Sequence, residues 1–237
     1  MARYASSSLM TESATNYLLE GLDAQETAIL RTHLTEVTLE AASVLAEAGQ
    51  PAEYVYFPVE SVLSLVGSTE GGATVEVAVV GREGVASVSA LLGRNRVPFR
   101  IVSQVGGKTL RARTDAMVKQ LHDCGDFHER LLKYSESMIF QIGQSAVCNR
   151  FHNAKQRLAR WLLMTIDRAG VRELPLTHEF ISAMVGGPRS AVTEAAAALR
   201  DSGAIDYRRG MVTVRSVERL EQEACECYAA VKALLVH

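Results

Sequence analysis

Twenty residues near the C-terminus decide the fold of this chain: residues 176–195 read LTHEFISAMVGGPRSAVTEA. Thr177 can cap a helix, because its hydroxyl can accept a hydrogen bond from an unpaired backbone N–H of the first turn. Gly186 and Gly187 supply the backbone angles of a tight turn, and Pro188 suits the opening of the next helix. The stretch therefore predicts two short helices that meet at a sharp angle.

The second of these helices has two faces of different chemistry. One stripe is apolar and predicts a buried side, formed by Val192, Ala195, Ala196 and Leu199. The opposite side carries Arg189, Ser190, Thr193, Glu194, Ala197 and Arg200. A recognition helix presents the side chains of its first turns to base edges in the major groove, and small residues permit close approach. The two helices are therefore predicted to form a helix-turn-helix.

A hairpin with a basic tip follows the second helix. Two strand-like runs, residues 204–207 and 211–214, are joined by Arg208-Arg209-Gly210. A purely structural helical hairpin can also contain a glycine turn. Here the cap, the glycine turn, the two-faced helix and the basic hairpin occur together. This combination predicts a winged helix-turn-helix that binds double-stranded DNA.

Positive charge is concentrated in the same region. The chain has a formal net charge of -2, but residues 1–149 carry a net -5, residues 150–215 a net +5 and the remainder a net -2. A basic block is what a nucleic-acid surface requires, although a solvated helical face or an acidic protein partner would produce one too. The charge distribution is thus compatible with DNA binding without proving it.

Short β-rich runs dominate the sequence between Val37 and Leu110. They include residues 54–57, 62–66, 74–80 and 101–105, separated by Gly, Pro and charged residues. The pairs Gly71-Gly72 and Gly106-Gly107 are candidates for hairpin turns. Short antiparallel strands of this kind close most simply into a small β-barrel or jelly roll.

A helical pattern follows between residues 115 and 149. Six residues recur in it at alternating steps of four and three: Leu131, Ser135, Met138, Ile142, Ser145 and Asn149. That spacing is typical of the seam of a two-stranded coiled coil, so we predict a homodimer formed through this face. A single amphipathic helix packed on its own barrel would give the same pattern.

Two domains of an α+β fold are predicted, with the boundary at the end of this helix. Residues 1–149 would form a sensor barrel with its dimerisation helix. Residues 150–237 would form a second helix around Trp161, the winged helix-turn-helix and a helical tail. A length of 237 residues suits two small domains.

Composition and motifs exclude several classes of protein. Hydrophobic residues at 48% and charged residues at 22% are ordinary for a globular chain, so disorder and fibrous repeats are not expected. No window approaches the roughly 20 apolar residues of a membrane span, and residues 1–16 lack a signal pattern. We therefore expect a cytoplasmic protein without a membrane partner. No nucleophile–base constellation or phosphate-cradling glycine loop is visible, so enzymatic activity is not expected.

Four cysteines occur in the chain: Cys124, Cys148, Cys225 and Cys227. They are too few and too unevenly placed for the disulfide framework of a secreted domain, so we expect reduced thiols. The Cys225-Glu226-Cys227 pair lacks the second pair or the histidines of a complete zinc site, and no metal and no other cofactor is predicted. A thiol-based redox switch that uses these cysteines is an alternative route for a signal.

Three stretches carry a resemblance to a known family: residues 54–57, residues 157–162 (RLARWL) and residues 176–205. From about Leu18 to Val214 the chain resembles the Crp/Fnr family of bacterial transcription regulators. Members of that family join a cyclic-nucleotide-binding-like β-barrel, a long dimerisation helix and a winged helix-turn-helix. The resemblance implies a homodimeric transcription regulator that binds palindromic operators and contacts RNA polymerase.

The resemblance also implies roles for individual residues. Base edges would be contacted by Arg189, Ser190, Thr193 and Glu194. The DNA backbone would be contacted by Asn153, Thr177, His178, Arg200, Arg208 and Arg209. Arginine can pair with guanine, and glutamate can accept a hydrogen bond from cytosine. The alternative for Glu194, an ion pair within the helix, is poorly served because Arg189 lies five residues away.

The effector site departs from the family pattern. Members that bind cyclic nucleotides carry a Gly-Glu pair for the ribose and an Arg-Ser or Arg-Thr pair for the phosphate. Here Gly84 is followed by Val85, and residues 97–101 read VPFRI. No cysteine precedes Cys124, which argues against the N-terminal iron–sulfur cluster of oxygen sensors. We therefore expect an unknown small-molecule effector, if any, and not cyclic AMP. The alternative is a ligand-binding regulatory protein without direct DNA function.

Overall fold

The computed structural model describes residues 15–121 and 123–235, so the residues tested for a signal pattern lie almost wholly outside it. The helices are α1 (Ala24–Arg31), α2 (Val88–Leu91), α3 (Thr114–Gln120), α4 (Gly125–Phe151), α5 (Ala154–Ala169), α6 (His178–Val185), α7 (Arg189–Asp201), α8 (Val217–Glu223) and α9 (Cys227–Leu235). The strands are β1 (Thr35–Leu39), β2 (Val44–Ala46), β3 (Tyr54–Pro58), β4 (Val62–Ser68), β5 (Thr74–Val80), β6 (Arg100–Val105), β7 (Gly107–Arg113), β8 (Glu173–Pro175), β9 (Ile205–Arg208) and β10 (Met211–Val214). Within the described residues, none of these helices is long and apolar enough to cross a membrane.

Two antiparallel sheets build the N-terminal part, with strand orders β2-β6-β4-β5 and β1-β7-β3. The four β-rich runs seen in the sequence are β3, β4, β5 and β6, and the mixed α and antiparallel β fold is confirmed. The expected hairpin at Gly106-Gly107 is wrong, because β6 pairs with β2 and β4 while β7 pairs with β1 and β3. The chain changes sheet there. A Cβ on Gly106 would lie only 2.7 Å from the carbonyl oxygen of Leu39, so the crossing needs a glycine.

Strand β4 of the β2-β6-β4-β5 sheet is buried on both faces. Successive side chains of a strand point to opposite faces, and along β4 Leu63 and Leu65 enter one core while Val62 and Val66 enter a second. The second core also contains Trp161 of α5 and the helices around the glycine turn. The sheet and the C-terminal helices therefore share a core. The proposed domain boundary after residue 149 falls in the last turn of α4.

A polar layer lies between this sheet and α5. The Ser64 hydroxyl lies 2.5 Å from Oε2 of Glu76 and 3.0 Å from Oε1 of Gln104. Gln104 in turn donates to the Thr165 hydroxyl at 2.6 Å. One hydroxyl has only one proton to donate, so both contacts of Ser64 are satisfied when Glu76 is protonated and donates. Burial raises the pKa of Glu76 to about 7, opposed in part by the Ser64 hydrogen bond and by the charges of Arg160 and Arg168.

We expect Glu76→Gln to remove a pH dependence of stability. Because the pKa of Glu76 is 4.5 ordinarily and about 7 in the fold, the folded state holds the proton that the unfolded state has lost between these values. The free energy of unfolding of the wild type should then fall by about 2.5 kcal/mol as pH rises from 5 to 8, relative to the variant. Urea unfolding at both pH values measures this, with the exposed Glu36→Gln as control. If the free energies of unfolding of wild type and Glu76→Gln differed by the same amount at both pH values, this prediction would be contradicted.

A buried ion pair also joins the barrel to α5. Nε of Arg168 donates to Oε1 of Glu83 at 2.6 Å, and the two side chains are only 5% and 8% exposed. Glu83 lies in the loop that leaves β5, where the same oxygen accepts from the backbone N–H of Gly81 at 3.1 Å. Nη1 of Arg168 donates to the carbonyl oxygen of Met164 at 3.0 Å. The pair thus links the barrel to the helix that carries the C-terminal core.

Helix α4 buries much of the predicted seam within its own chain. Four of the predicted seam residues are at most 8% exposed within their own chain: Leu131, Ser135, Met138 and Ser145. The others, Ile142 and Asn149, are half-buried. Leu131, Met138 and Ile142 pack in the core of their own barrel, as the alternative interpretation held. One residue further along, which is 100° around the helix, Leu132 and Ile139 are 51% and 72% exposed. The apolar stripe that is exposed among the described residues is therefore displaced from the predicted one.

Candidate nucleic-acid interface

Helices α6 and α7 form the predicted turn. The Thr177 hydroxyl caps α6 by accepting from the backbone N–H of Phe180 at 3.1 Å. The helix ends at Gly186, with φ at 73°, and Gly187 follows with φ at 132°, so both glycines occupy the left-handed region. A Cβ on Gly186 would also meet a Val75 methyl at 3.0 Å. The turn is thus fixed by its backbone and by contact with β5.

The two faces of α7 lie as the sequence predicts. Its inner stripe is buried in the second core: Val192, Ala195, Ala196 and Leu199. The expected base-contacting side chains are all exposed: Arg189, Ser190, Thr193 and Glu194. Among the described residues Arg189 and Glu194 take part in no ion pair, whereas Arg200 pairs with its neighbour Asp201 at 3.1 Å. The first turns of α7 thus present polar groups to solvent, and the charges of Arg189 and Glu194 are unpaired among the described residues.

A three-stranded sheet of order β8-β10-β9 forms the wing. Its tip is a two-residue turn in which Arg209 and Gly210 have φ of 50° and 77°, as a type I′ hairpin requires. Arg208 and Arg215 both pair with Asp206 at 3.2 Å, and these guanidinium groups, Arg215 foremost, hold the pKa of Asp206 below its usual value. Arg209 makes no ion pair within the part of the chain that the structure describes.

His178 is placed differently from the other predicted backbone contacts. Its ring stacks on Tyr207 of β9 with centroids 4.4 Å apart, and its Nδ1 lies 3.4 Å from the Thr193 hydroxyl. Nε2 is enclosed and has no hydrogen-bond partner among the described residues. The ring therefore links α6, α7 and the wing and does not face outward. Its expected phosphate contact would require the ring to turn out.

The remaining predicted contacts lie on the surface. Asn153 caps α5 through its side chain, which accepts from the backbone N–H of Gln156 at 3.0 Å. Thr177, Arg200, Arg208 and Arg209 are exposed. The backbone N–H groups at the start of α5 and α6 point outward from their helices, which is the arrangement that favours an anionic phosphate.

Sequence reasoning missed the residue that holds the turn in place. Arg157 of α5 donates from Nη2 to the carbonyl oxygen of Gly186 at 2.9 Å and from Nη1 to that of Asn149 at 3.2 Å. From the barrel, the Thr74 hydroxyl donates to the carbonyl oxygen of Ala183 at 3.0 Å. The contacts to Gly186 and Ala183 join residues far apart in sequence, so no local pattern indicates them.

An apolar cavity of about 200 Å³ lies between the barrel and α4. It is lined mainly by Leu65, Val97, Phe99, Ile101, Met138 and Ile142, with serines as its polar members. No charged side chain of the described residues lines it. Arg100, the arginine of the VPFRI stretch, is exposed and pairs with Glu47 at 3.1 Å. The cavity therefore suits an apolar molecule better than a cyclic phosphate.

Comparison with known proteins agrees with this geometry. Residues 156–223 match the model of the Crp-like helix-turn-helix domain. The global nitrogen regulator of Synechocystis sp. (strain PCC 6803) is 24% identical over 195 residues, which is 78% of this chain and 87% of that protein.

Two solved structures share the fold. The first is the c-di-GMP-responsive global regulator CLP from Xanthomonas campestris, with a TM-score of 0.67 at 12% identity over 82% of this chain and 100% of that chain. The second is a CRP-family transcriptional regulator from Thermus thermophilus, with a TM-score of 0.66 at 18% identity over 79% of this chain and 96% of that chain.

Proposed function

We propose that this chain is a transcription regulator of the Crp/Fnr type with a helix-turn-helix DNA-binding domain. From that premise we infer that two copies bind one palindromic operator. Each copy would insert the first turns of α7 into a major groove, with half-site centres about 34 Å apart. The observation that carries the proposal is the exposed polar face of α7 beside a basic wing, on which Arg189 and Glu194 make no ion pair among the described residues.

Base choice would rest on the first two turns of α7. Arg189 can donate two hydrogen bonds to guanine, Glu194 can accept from cytosine, and the hydroxyls of Ser190 and Thr193 can serve either kind of base. Thr193 is also held by the carbonyl oxygen of Arg189 at 2.9 Å, so its rotamer is fixed before DNA arrives. Order on the free surface reduces the entropy lost on binding.

Phosphate contacts would surround this face and set the register of the complex. They would come from Thr177, Arg200, Arg208 and Arg209, and from the backbone at Asn153, on the elements that flank α7. We assign His178 the task of positioning, because its ring already joins Thr193 to Tyr207. The phosphate contacts supply affinity that falls with salt, while the base contacts supply sequence choice.

The dimer would form through the exposed stripe of α4 and not through the seam that the heptad spacing indicated. Its large apolar members are Leu132, Ile139, Phe140, Val147 and Phe151. These five side chains lie close together along one side of α4, and contiguous exposed apolar surface of this kind marks an interface. A parallel pair of α4 helices would place two copies of α5 to α7 side by side, as a two-fold operator requires.

We expect Ile139→Glu to dissociate the dimer. Ile139 is 72% exposed at the middle of the stripe, and a pair of carboxylates facing each other across a two-fold axis would be buried without a partner. Sedimentation equilibrium should give the dimer mass for the wild type and the monomer mass for Ile139→Glu. The control is Val171→Glu, which adds the same charge at a residue that is 47% exposed outside α4. A dimeric Ile139→Glu would place the interface elsewhere.

Selection of bound sequences from a random DNA pool at fixed salt tests the function as a whole. We expect a two-fold symmetric motif, because affinity for phosphates alone selects no sequence. Binding that remains salt-sensitive and without sequence preference would contradict the operator-binding function. It would favour the alternative of a regulatory protein that acts on another partner.

The rest of the proposed function follows from this activity. A regulator that acts on operators would work in the cytoplasm, would contact RNA polymerase or block it, and would need no catalytic chemistry. An effector that occupies the apolar cavity would reach α4 through Met138 and Ile142. It would change DNA affinity only if it bound one arrangement of the dimer better than another.

A further inference from the structure

Four side chains from opposite ends of the C-terminal half meet at the end of α4. Cys148 and His152 lie four residues apart and therefore on one face of the helix terminus. Cys225 lies in the short link between α8 and α9, and Cys227 is the first residue of α9. The ligand atoms of all four side chains lie within 4.8 Å of one another. The three thiols are buried, so solvent does not separate them.

We propose that Cys148, His152, Cys225 and Cys227 bind one zinc ion in a closed, structural site. Three thiolates and one imidazole are an established tetrahedral ligand set for Zn²⁺. Zinc bonds of roughly 2.3 Å to sulfur and 2.0–2.1 Å to nitrogen place the corners of a tetrahedron about 3.8 Å apart for two sulfurs and about 3.6 Å for sulfur and nitrogen. Here the Sγ atoms of Cys148 and Cys225 lie 3.5 Å apart, and Sγ of Cys227 lies 3.5 Å from Nδ1 of His152.

The surroundings orient the ligands as a metal site requires. Nε2 of His152 lies 3.2 Å from Oε1 of Glu226, so the carboxylate holds the ring proton on Nε2 and leaves the lone pair of Nδ1 facing the sulfurs. A carboxylate behind the histidine is the usual partner of a zinc-bound imidazole. The Gln144 amide donates to Sγ of Cys227 at 3.0 Å, which suits a sulfur that carries negative charge.

A disulfide explains the arrangement less well. The Sγ atoms of Cys148 and Cys225 are 3.5 Å apart, far beyond the roughly 2.0 Å of an S–S bond. A bond between Cys148 and Cys225 would also leave the third thiol and the oriented imidazole without a role. The convergence of four atoms on one point favours a single ion over a thiol switch.

The sequence-based expectation of no metal is revised by this proposal. It rested on the absence of partners for the Cys225-Glu226-Cys227 pair, and Cys148 and His152 supply them. The ion would fasten the link before α9 to the end of α4, directly before Asn153 and the start of α5. It would thereby hold the helical tail against the helix that leads into the DNA-binding domain.

Metal analysis of the full-length chain tests the proposal. The protein is purified under reducing conditions, and its zinc content is measured by inductively coupled plasma mass spectrometry. We expect about one zinc per chain in the wild type and in Cys124→Ser, whose cysteine is buried in the other core, and a loss of zinc in Cys227→Ser. Equal zinc content in wild type and Cys227→Ser would overturn the site. So would a Cys148–Cys225 disulfide, found by peptide mapping, in metal-free wild type.

If Cys227→Ser fails to fold, cobalt titration of the wild type tests whether the four side chains bind a metal ion. Co²⁺ added to metal-free wild type should give the thiolate charge-transfer and tetrahedral d–d absorption of a sulfur-rich site, and Zn²⁺ should bleach it. An octahedral spectrum without charge transfer would overturn the proposal. Glu226→Gln leaves all four ligands in place and should weaken zinc affinity about 10- to 100-fold. Unchanged affinity in that variant would contradict the orienting role of Glu226.

Discussion

Arg189→Ala should weaken the operator preference of this protein, most at the base pair that Arg189 would contact, while leaving its general attraction to DNA. Arg189 is exposed at the start of α7 and takes part in no ion pair among the described residues, so its guanidinium is available for a guanine. A bidentate arginine–guanine contact discriminates by about 1–3 kcal/mol. A dimer makes the contact twice, so the loss on a palindrome should be about 2–6 kcal/mol, or roughly 30-fold to 10⁴-fold in Kd.

Arg209→Ala provides the matched control, because it removes the same charge at the tip of the wing. Loss of the Arg209 charge should weaken binding to all sequences alike and reduce the slope of log affinity against log salt concentration by about one per site. Arg189→Ala should leave that slope nearly unchanged. Fluorescence anisotropy with the selected operator and with scrambled DNA, at several salt concentrations, separates the two effects. Arg94→Ala, an exposed arginine of the barrel, should change neither. Equal weakening of operator and scrambled DNA by Arg189→Ala would show that Arg189 contacts phosphate.

The DNA-binding unit was readable from sequence because its signals are local. Thr177 caps a helix within its own first turn, Gly186 and Gly187 adopt angles that other residues avoid, and the wing tip needs only two residues with positive φ. Each signal depends on neighbours in the chain and not on the tertiary fold. Elements of this kind can be placed without knowing what packs against them.

The burial of the predicted seam and the grouping of the proposed zinc ligands could not be read from the sequence, for the opposite reason. Heptad spacing shows that α4 has an apolar face, but not whether the barrel or a second chain covers it, and Leu132 lies only one residue from Leu131. The proposed ligands come together because α9 packs along α4, where Ser137 lies 3.4 Å from the Leu234 carbonyl oxygen. A Cys-x3-His sequence at the end of a helix was the signal available, and its partners lie some seventy residues away.

Arg168→Met should destabilise the whole protein more than any surface change. The substitution keeps most of the volume of the side chain and leaves Glu83, which is 8% exposed, without its counter-ion. Removing one partner of a buried ion pair costs about 3–5 kcal/mol, because the remaining charge stays desolvated. Urea unfolding at a fixed protein concentration, followed by tryptophan fluorescence, should report the loss, since Trp161 lies in the core that α5 carries.

The double variant Glu83→Gln with Arg168→Met distinguishes the cost of an unpaired, buried carboxylate from the loss of packing by the Arg168 side chain. It removes both charges and keeps an amide oxygen that can accept from the Gly81 N–H, so most of the lost stability should return. The exposed pair of Arg113 and Asp115 supplies the contrast, because solvent already screens it and Arg113→Met should leave the unfolding midpoint unchanged. A double variant no more stable than Arg168→Met would mean that packing of the arginine stem, and not the uncompensated carboxylate, holds the barrel to α5.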